Sequence, residues 1–381
     1  MKTDISHTPL PPLSHIFPEI SPAELATLID VSGVSQSMSP RHTLGEGRTL
    51  TLEDWSRLFD AGYLDEAAMP SQETLNPHFL QMANVLRDPA TNLTVRIWAG
   101  EKDCADTNIQ FPGSISDGRG VILLTGEDDQ IKLSAYADHE HVIAISAPFL
   151  SWSQAAGSED PLPPFEALLD YDSAMAVCAA VDYTHVKPPD VSHQSFSAEE
   201  LYQFLIDRWG LTTFQELVTH GMSAIMAGEP PEKKAFSNSM PALVDGGIFK
   251  AEENDLFSLN MSFQRVARRI SQPFAGLAWQ RVAAVSDVEL ERSCQTFLAI
   301  DGGVLRLAPG HPGFLYFELG DYSMVRDFLA AELAAFPPQM PPPKIKNAEL
   351  AETSPPSEVT EKNSPPPLPG ASSPPPIPPK S

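Results

Sequence analysis

LNPHFLQMANVLRDPATNLTVRIWAG, residues 75–100, and LNMSFQRVARRISQPFAGLAWQRVAA, residues 259–284, are two versions of one pattern. Leu75-Asn76, Phe79, Ala83, Pro89, Leu93 and Ala99 recur as Leu259-Asn260, Phe263, Ala267, Pro273, Leu277 and Ala283, always 184 residues later. The same offset carries Asp103, Asp117-Gly118, Leu123 and Gly126 onto Asp287, Asp301-Gly302, Leu307 and Gly310. Upstream, Leu58, Asp60 and Gly62 are matched by Leu243, Asp245 and Gly247, and Ser21-Pro-Ala-Glu24-Leu25 by Ser197-Ala-Glu-Glu200-Leu201. Order is kept throughout, so the chain reads as two copies of one unit, residues 21–150 and 197–336.

Each copy follows one plan. It opens on Ser-x-x-Glu, a capping box that starts a helix. Asn76 and Asn260 then cap a further helix with an apolar stripe: Phe79, Met82, Ala83 and Leu86, or Phe263, Val266, Ala267 and Ile270. Pro89 and Pro273 stop it, because proline lacks the amide donor. Beyond, the period becomes alternating. LTVRIW (93–98), LAWQRV (277–282), GVILLT (120–125), GVLRLA (303–308), IKLSAY, HVIAIS and FLYFEL read as strands with short connections, hence antiparallel. A helix is expected over 164–183 and another over 323–336. The fold class is therefore α+β: two tandem related units, each helices followed by a small antiparallel sheet, with 1–20 a loose proline-containing lead and 151–196 a helix and linker.

Composition narrows the function. Net charge is −25 in 381 residues, which argues against nucleic-acid backbones and anionic membranes as partners. No apolar run reaches the ~20 residues of a spanning helix and no signal peptide is read at the start, so a cytoplasmic location is expected. Three scattered cysteines make neither a disulfide framework nor a CxxC site. Of 38 prolines, 16 fall in residues 337–381. That tail has no aromatics and is expected to be disordered, with polyproline character. Its clusters around Pro366 and Pro369, and Pro375, Pro378 and Lys380, fit an SH3-like groove. A spacer without a receptor is the plainer reading.

The candidate sites are few. Asp138-His139-Glu140-His141 is the one dense group of metal-ligand types, but it reads more simply as a solvated turn between strands. Arg265, Arg268 and Arg269 could hold an acidic partner, or pair with the chain's own carboxylates. Trp98 and Trp279 are large enough to dominate an interface, or to sit in the core. Ser223 lacks the GxSxG spacing of a hydrolase elbow, and neither GxGxxG nor a Walker loop occurs. No catalytic residue, metal or cofactor is assigned.

LFDAGYLDEA (58–67), LNPHFLQMANVLRDP (75–89) and LTVRIWAG (93–100) together resemble the EspG-type cytosolic chaperones of type VII (ESX) secretion. The shared features are a Leu-containing helix ending near Gly, a Pro/His-started helix ending at Pro, and a strand with charged and aromatic residues. The resemblance spans about 40 residues. It implies an α+β fold with quasi-twofold halves and a non-enzymatic role holding secreted substrates. The proline-rich tail is not expected of that family. The leading reading is a cytoplasmic protein-binding chaperone or adaptor that holds a protein client, with the tail as a second tether. A winged-helix-like regulator and an enzyme with a dispersed site are the alternatives.

Overall fold

A computed structural model describes residues 15–99, 103–113, 120–125, 130–137, 139–155, 162, 164–186, 195–211, 216–225, 228–284 and 290–334. Strand β1 (His15–Ile16) precedes α1 (Pro22–Ser32), α2 (Leu52–Asp60) and α3 (Pro77–Arg87). Four strands follow, β2 (Thr91–Ala99), β3 (Asp103–Phe111), β4 (Gly120–Thr125) and β5 (Ile131–Ala137), and then α4 (His139–Ala155). Next come β6 (Phe165–Asp170), α5 (Tyr171–Val186), β7 (Phe196–Ser197), α6 (Ala198–Arg208), α7 (Leu217–Ile225) and α8 (Lys233–Asp245). A hairpin, β8 (Phe249–Ala251) and β9 (Leu256–Leu259), leads to α9 (Met261–Ile270). Then β10 (Ala275–Ala284), β11 (Leu290–Ile300), β12 (Gly303–Pro309), β13 (Phe314–Gly320) and α10 (Ser323–Ala334) complete the described chain.

Local chemistry sets the helix starts. Ser21 with Glu24 and Ser197 with Glu200 form reciprocal capping boxes on α1 and α6. The Asn76 and Asn260 side chains accept amide hydrogens of His78 and Ser262, opening α3 and α9. Both helices stop short of their prolines and bury the stripes expected of them.

The turns after α2 and α8 carry the same hydrogen bonds. Tyr63 N–H donates to Leu58 O and Ile248 N–H to Leu243 O; Asn76 N–H donates to Tyr63 O and Asn260 N–H to Ile248 O. Gly62 and Gly247 sit at φ 80° and 73°, a left-handed conformation that disfavours a β-carbon. The Leu64–Leu75 bridge lies where Phe249 pairs with Leu259.

Ten strands form one antiparallel sheet in the order β1-β5-β4-β3-β2-β10-β11-β12-β13-β6. The expectation of two small sheets is corrected here: β2 and β10 pair directly, over Thr91–Ala99 and Ala275–Ala283, and fuse them. Side chains alternate between the two faces. On one face Leu93, Val95, Ile97, Leu277, Trp279 and Phe297 pack with Val142 and Phe149 of α4 and with Val325, Phe328 and Leu329 of α10. Trp279 Nε1–H and Arg281 Nε–H both donate to Glu332 Oε2, at 3.3 and 3.1 Å, and tie α10 down. The opposite face supports two separate apolar cores. Val121, Leu123, Ile131 and Leu133 lie under α1–α3. Leu305, Leu307, Leu315, Phe317 and Leu319 lie under α5–α9.

Two other expectations change. HVIAIS, expected as a strand, belongs to α4 together with His139 and Glu140 of the expected turn, while Asp138 lies outside the described residues. Over those six residues alternation and helix cannot be told apart, but Val142, Ser146, Phe149 and Ser153 are buried at helical spacing. The helix expected over 164–183 begins at Tyr171. Phe165, Ala167 and Leu169 alternate along β6, and Asp170 caps α5 by accepting Ser173 N–H at 3.0 Å. β3 and β11, unread in the sequence, are inserted between the expected strand pairs. Among the described residues no helix is long and apolar enough to cross a membrane.

At the centre of the sheet Gly276 faces Trp98 across the β10–β2 ladder. A β-carbon there would lie 1.9 Å from Trp98 Cζ2, and the indole is held by a parallel stack on His220, 4.9 Å between ring centroids. Gly276→Ala is expected to destabilise the chain by about 1–3 kcal/mol in urea denaturation. Trp98→Leu should cost less in that background than in the native chain, because the two changes relieve one another. Additive losses would show that the close approach is not limiting.

Candidate functional site

The strip between the two cores is polar. Along β2 the side chains on that face are Asn92, Thr94, Arg96 and Trp98, and the other face is apolar. Across β3, Thr94 Oγ1–H donates to Asn108 Oδ1 at 2.8 Å, and Arg96 pairs bidentately with Asp106, Nε–H and Nη2–H donating to its two carboxylate oxygens. The Arg96 and Asp106 side chains remain 39% and 37% exposed, so the pair contributes ~1 kcal/mol at most and mainly orients its charges. On the other side Ala278 and Gln280 of β10 and Thr296 of β11 continue the strip. It forms a groove floor that no described helix covers completely.

At its second-half end the groove deepens into a cavity of about 290 Å³. Thr94, Arg96 and Trp98 line it below; Leu211, His220 and Met222 line it from α7 and the turn before. α7 is held from three directions. Asp182 of α5 accepts the amide hydrogens of Leu217 and Val218 at 2.9 and 2.8 Å, capping the helix from outside its own segment. His220 stacks on Trp98. Gly221 lets the helix approach α5, where a β-carbon would lie 2.9 Å from Met175 Cε.

The site's ionisation follows from burial. Desolvation pushes Asp182 up to about 7, although the two amide bonds pull the other way. Burial likewise pushes the Cys294 thiol up to about 11, so at neutral pH it stays protonated, donating toward Ser223 O at 3.6 Å. Ser223 Oγ–H itself donates to Thr219 O at 2.9 Å. The arrangement offers donors, acceptors and an aromatic wall, which suits recognition of a surface.

Trp98 thus reaches the cavity. Trp279, the other tryptophan considered as a partner contact, is fully buried on the opposite face, where it anchors α10. Arg265 and Arg268 are exposed on α9, and Arg269 Nη1–H donates to Asp301 O at 3.2 Å; none of the three lines the cavity. His141 is buried in the first turn of α4, and the His139 side chain lies outside the described residues. Pro366, Pro369, Pro375, Pro378 and Lys380 also lie outside them. Sequence reasoning missed Asp106, Asn108, Gln280 and Thr296. The polar alternation Thr94, Arg96 in a strand with an apolar reverse face was the signal for an uncovered sheet surface.

Comparison with family models and with curated proteins gave no match. Among solved structures the chain is similar to the Mycobacterium tuberculosis type VII secretion system chaperone EspG5, solved in complex with a PE25–PPE41 dimer. Identity is 11% and the TM-score 0.40, over 82% of this chain and 93% of that one.

Asp182 makes the site's attachment titratable. Its folded pKa of about 7 lies above the ordinary 3.8, so the folded chain keeps a proton that the unfolded chain releases. The group therefore costs stability progressively from about pH 4 to pH 7, and the cost is complete above. In Asp182→Asn this dependence is expected to vanish. The stability difference should shift toward the variant as pH rises, by up to about 1.4 kcal/mol per pH unit. Urea denaturation at several pH values measures it; parallel curves would rule this titration out.

Proposed function

We propose that the chain is a non-enzymatic, cytoplasmic protein-binding protein, a secretion chaperone or adaptor, that holds a protein client in the groove over β2 and β10. The observation that carries this reading is the half-exposed polar floor of Thr94, Arg96, Asp106, Asn108 and Gln280, bordered by helical layers on both sides. An isolated sheet face of this kind presents hydrogen-bonding groups at fixed spacing, and flanking helices supply apolar edges. The −25 charge keeps such a holder soluble and favours a client with a basic or amphipathic surface.

The groove is the seam of a duplicated unit in this reading. Residues 21–150 and 197–336 are the two copies, extended by the edge strands β1 and β6 at the two ends of the sheet. The ladder register supports it. Val95 and Trp279 are related by the 184-residue offset, and they are also cross-strand partners, as a twofold axis between copies requires. The matched hydrogen bonds after α2 and α8 support it independently. The tail adds a second tether through Pro366, Pro369, Pro375, Pro378 and Lys380, to a polyproline-binding partner. A winged-helix regulator fits poorly, since the strands after α9 continue a ten-stranded sheet instead of a short wing.

Thr94 and Gln280 are cross-strand partners on the groove floor, so Thr94→Lys with Gln280→Lys fills it without disturbing a core. Tagged chain recovered from the native host should bring down a protein client. The double variant, with an unchanged thermal melt, should recover at least about tenfold less, equivalent to about 1.4 kcal/mol. A chain ending at Phe336 should keep the body client and lose any tail partner. Full recovery of every partner by the groove variant would refute the assignment.

A further inference from the structure

SPPPLPGAS (364–372) and SPPPIPPKS (373–381) are one nine-residue unit written twice without a gap. Six of the nine positions are identical: Ser364, Pro365, Pro366, Pro367, Pro369 and Ser372 recur as Ser373, Pro374, Pro375, Pro376, Pro378 and Ser381. At a seventh, Leu368 is replaced by Ile377, an aliphatic side chain of the same size. A spacer needs proline for stiffness and nothing more. It has no use for an aliphatic side chain at the same place inside each proline run, or for serines at the same borders. The doubled pattern is that of a ligand present in two copies.

The period fits such a use. A polyproline helix turns once in three residues and rises about 3.1 Å per residue. Nine residues are three whole turns, so in that conformation both units present the same face, ~28 Å apart. A reader domain of about 60 residues has a radius of gyration of about 10 Å, and so a diameter of about 27 Å. Two such domains therefore fit side by side. The four residues between the proline runs, Gly370, Ala371, Ser372 and Ser373, allow small differences in angle. The units are not equal, however. Lys380 gives the second a flanking cation, and Ala371 stands at the matching place in the first.

We propose that the tail is a two-site ligand for a partner protein with two SH3-like, aromatic-lined grooves side by side, each with an acidic margin. Residues 373–381 are the stronger site and 364–372 the weaker, because only the former offers a cation to that margin. The inference rests on the second-tether reading given above and names its partner. Joining two sites on one chain to two grooves on one partner makes the second contact intramolecular, which raises avidity without any new contact.

The probe is an SH3 domain, chosen from a panel for binding to the full chain, used as a monomer and as a coiled-coil dimer of the same domain. Titration calorimetry should give two monomers per chain, with unequal affinities that Ala371→Lys brings together. The dimer should bind one per chain, at least about tenfold tighter than the monomer. Pro366→Ala with Pro369→Ala, or Pro375→Ala with Pro378→Ala, should leave one monomer per chain and remove the dimer's advantage. The chain runs on into the tail from α10, which packs on the sheet face away from the groove. The groove variant Thr94→Lys/Gln280→Lys should therefore bind both probes normally. One monomer per chain in the native sequence, or a dimer that gains nothing, would overturn the two-site proposal and leave the single tether standing. Failure of the whole panel to bind, with no host partner lost from a chain ending at Phe336, would remove the tether as well.

Discussion

The antiparallel ladder between β2 and β10 is the constraint from which the rest of the molecule follows. Each of these strands begins just after a helix that stops before a proline, and each turns large apolar side chains to one face, Leu93, Val95 and Ile97 in β2 and Leu277 and Trp279 in β10. Once paired, their apolar faces coalesce: Val95 meets Trp279, Ile97 meets Leu277, and α4 and α10 cover both. Burying side chains of this size is worth roughly 1.5–3 kcal/mol each, so the pairing is stabilised mainly by the core beneath it. The polar faces are thereby forced onto the same opposite surface, and the groove floor is a by-product of the register.

The helices over the two ends of the sheet differ. α5 and α7 pack over the second-half core, and α7 walls one side of the groove. α5 is buried along most of its length because it supports α6, α7, α8 and α9 at once. Its Asp182 reaches across to cap α7, a bond made at the expense of desolvating a carboxylate. In the first half, α2 has one buried residue, Leu58, and no helix like α5 is found among the described residues.

Much of the local structure was legible beforehand. Ser21, Ser197, Asn76 and Asn260 mark helix starts by chemistry that acts within three residues, and Phe79–Leu86 and Phe263–Ile270 mark buried faces by spacing alone. β3 was not legible, because DCADTNIQF mixes polar side chains at both phases and only its neighbours make it a strand. HVIAIS misled for a related reason: six residues are too few to separate a strand from a turn and a half of buried helix.

The sequence by itself determined that helices precede strands in each half, where the capped helices begin and end, and that two stretches 184 residues apart share one pattern. Those properties depend on short-range hydrogen bonding and periodicity, which travel with the residues. Only the tertiary structure decided that the strands join into one sheet, that Trp98 lies at the groove while Trp279 lies on the opposite face, and that Asp106, Asn108, Gln280 and Thr296 share a floor with Thr94. Strand partners are chosen by burial of surfaces far apart in the chain, and a one-residue change of register would send every side chain to the other face.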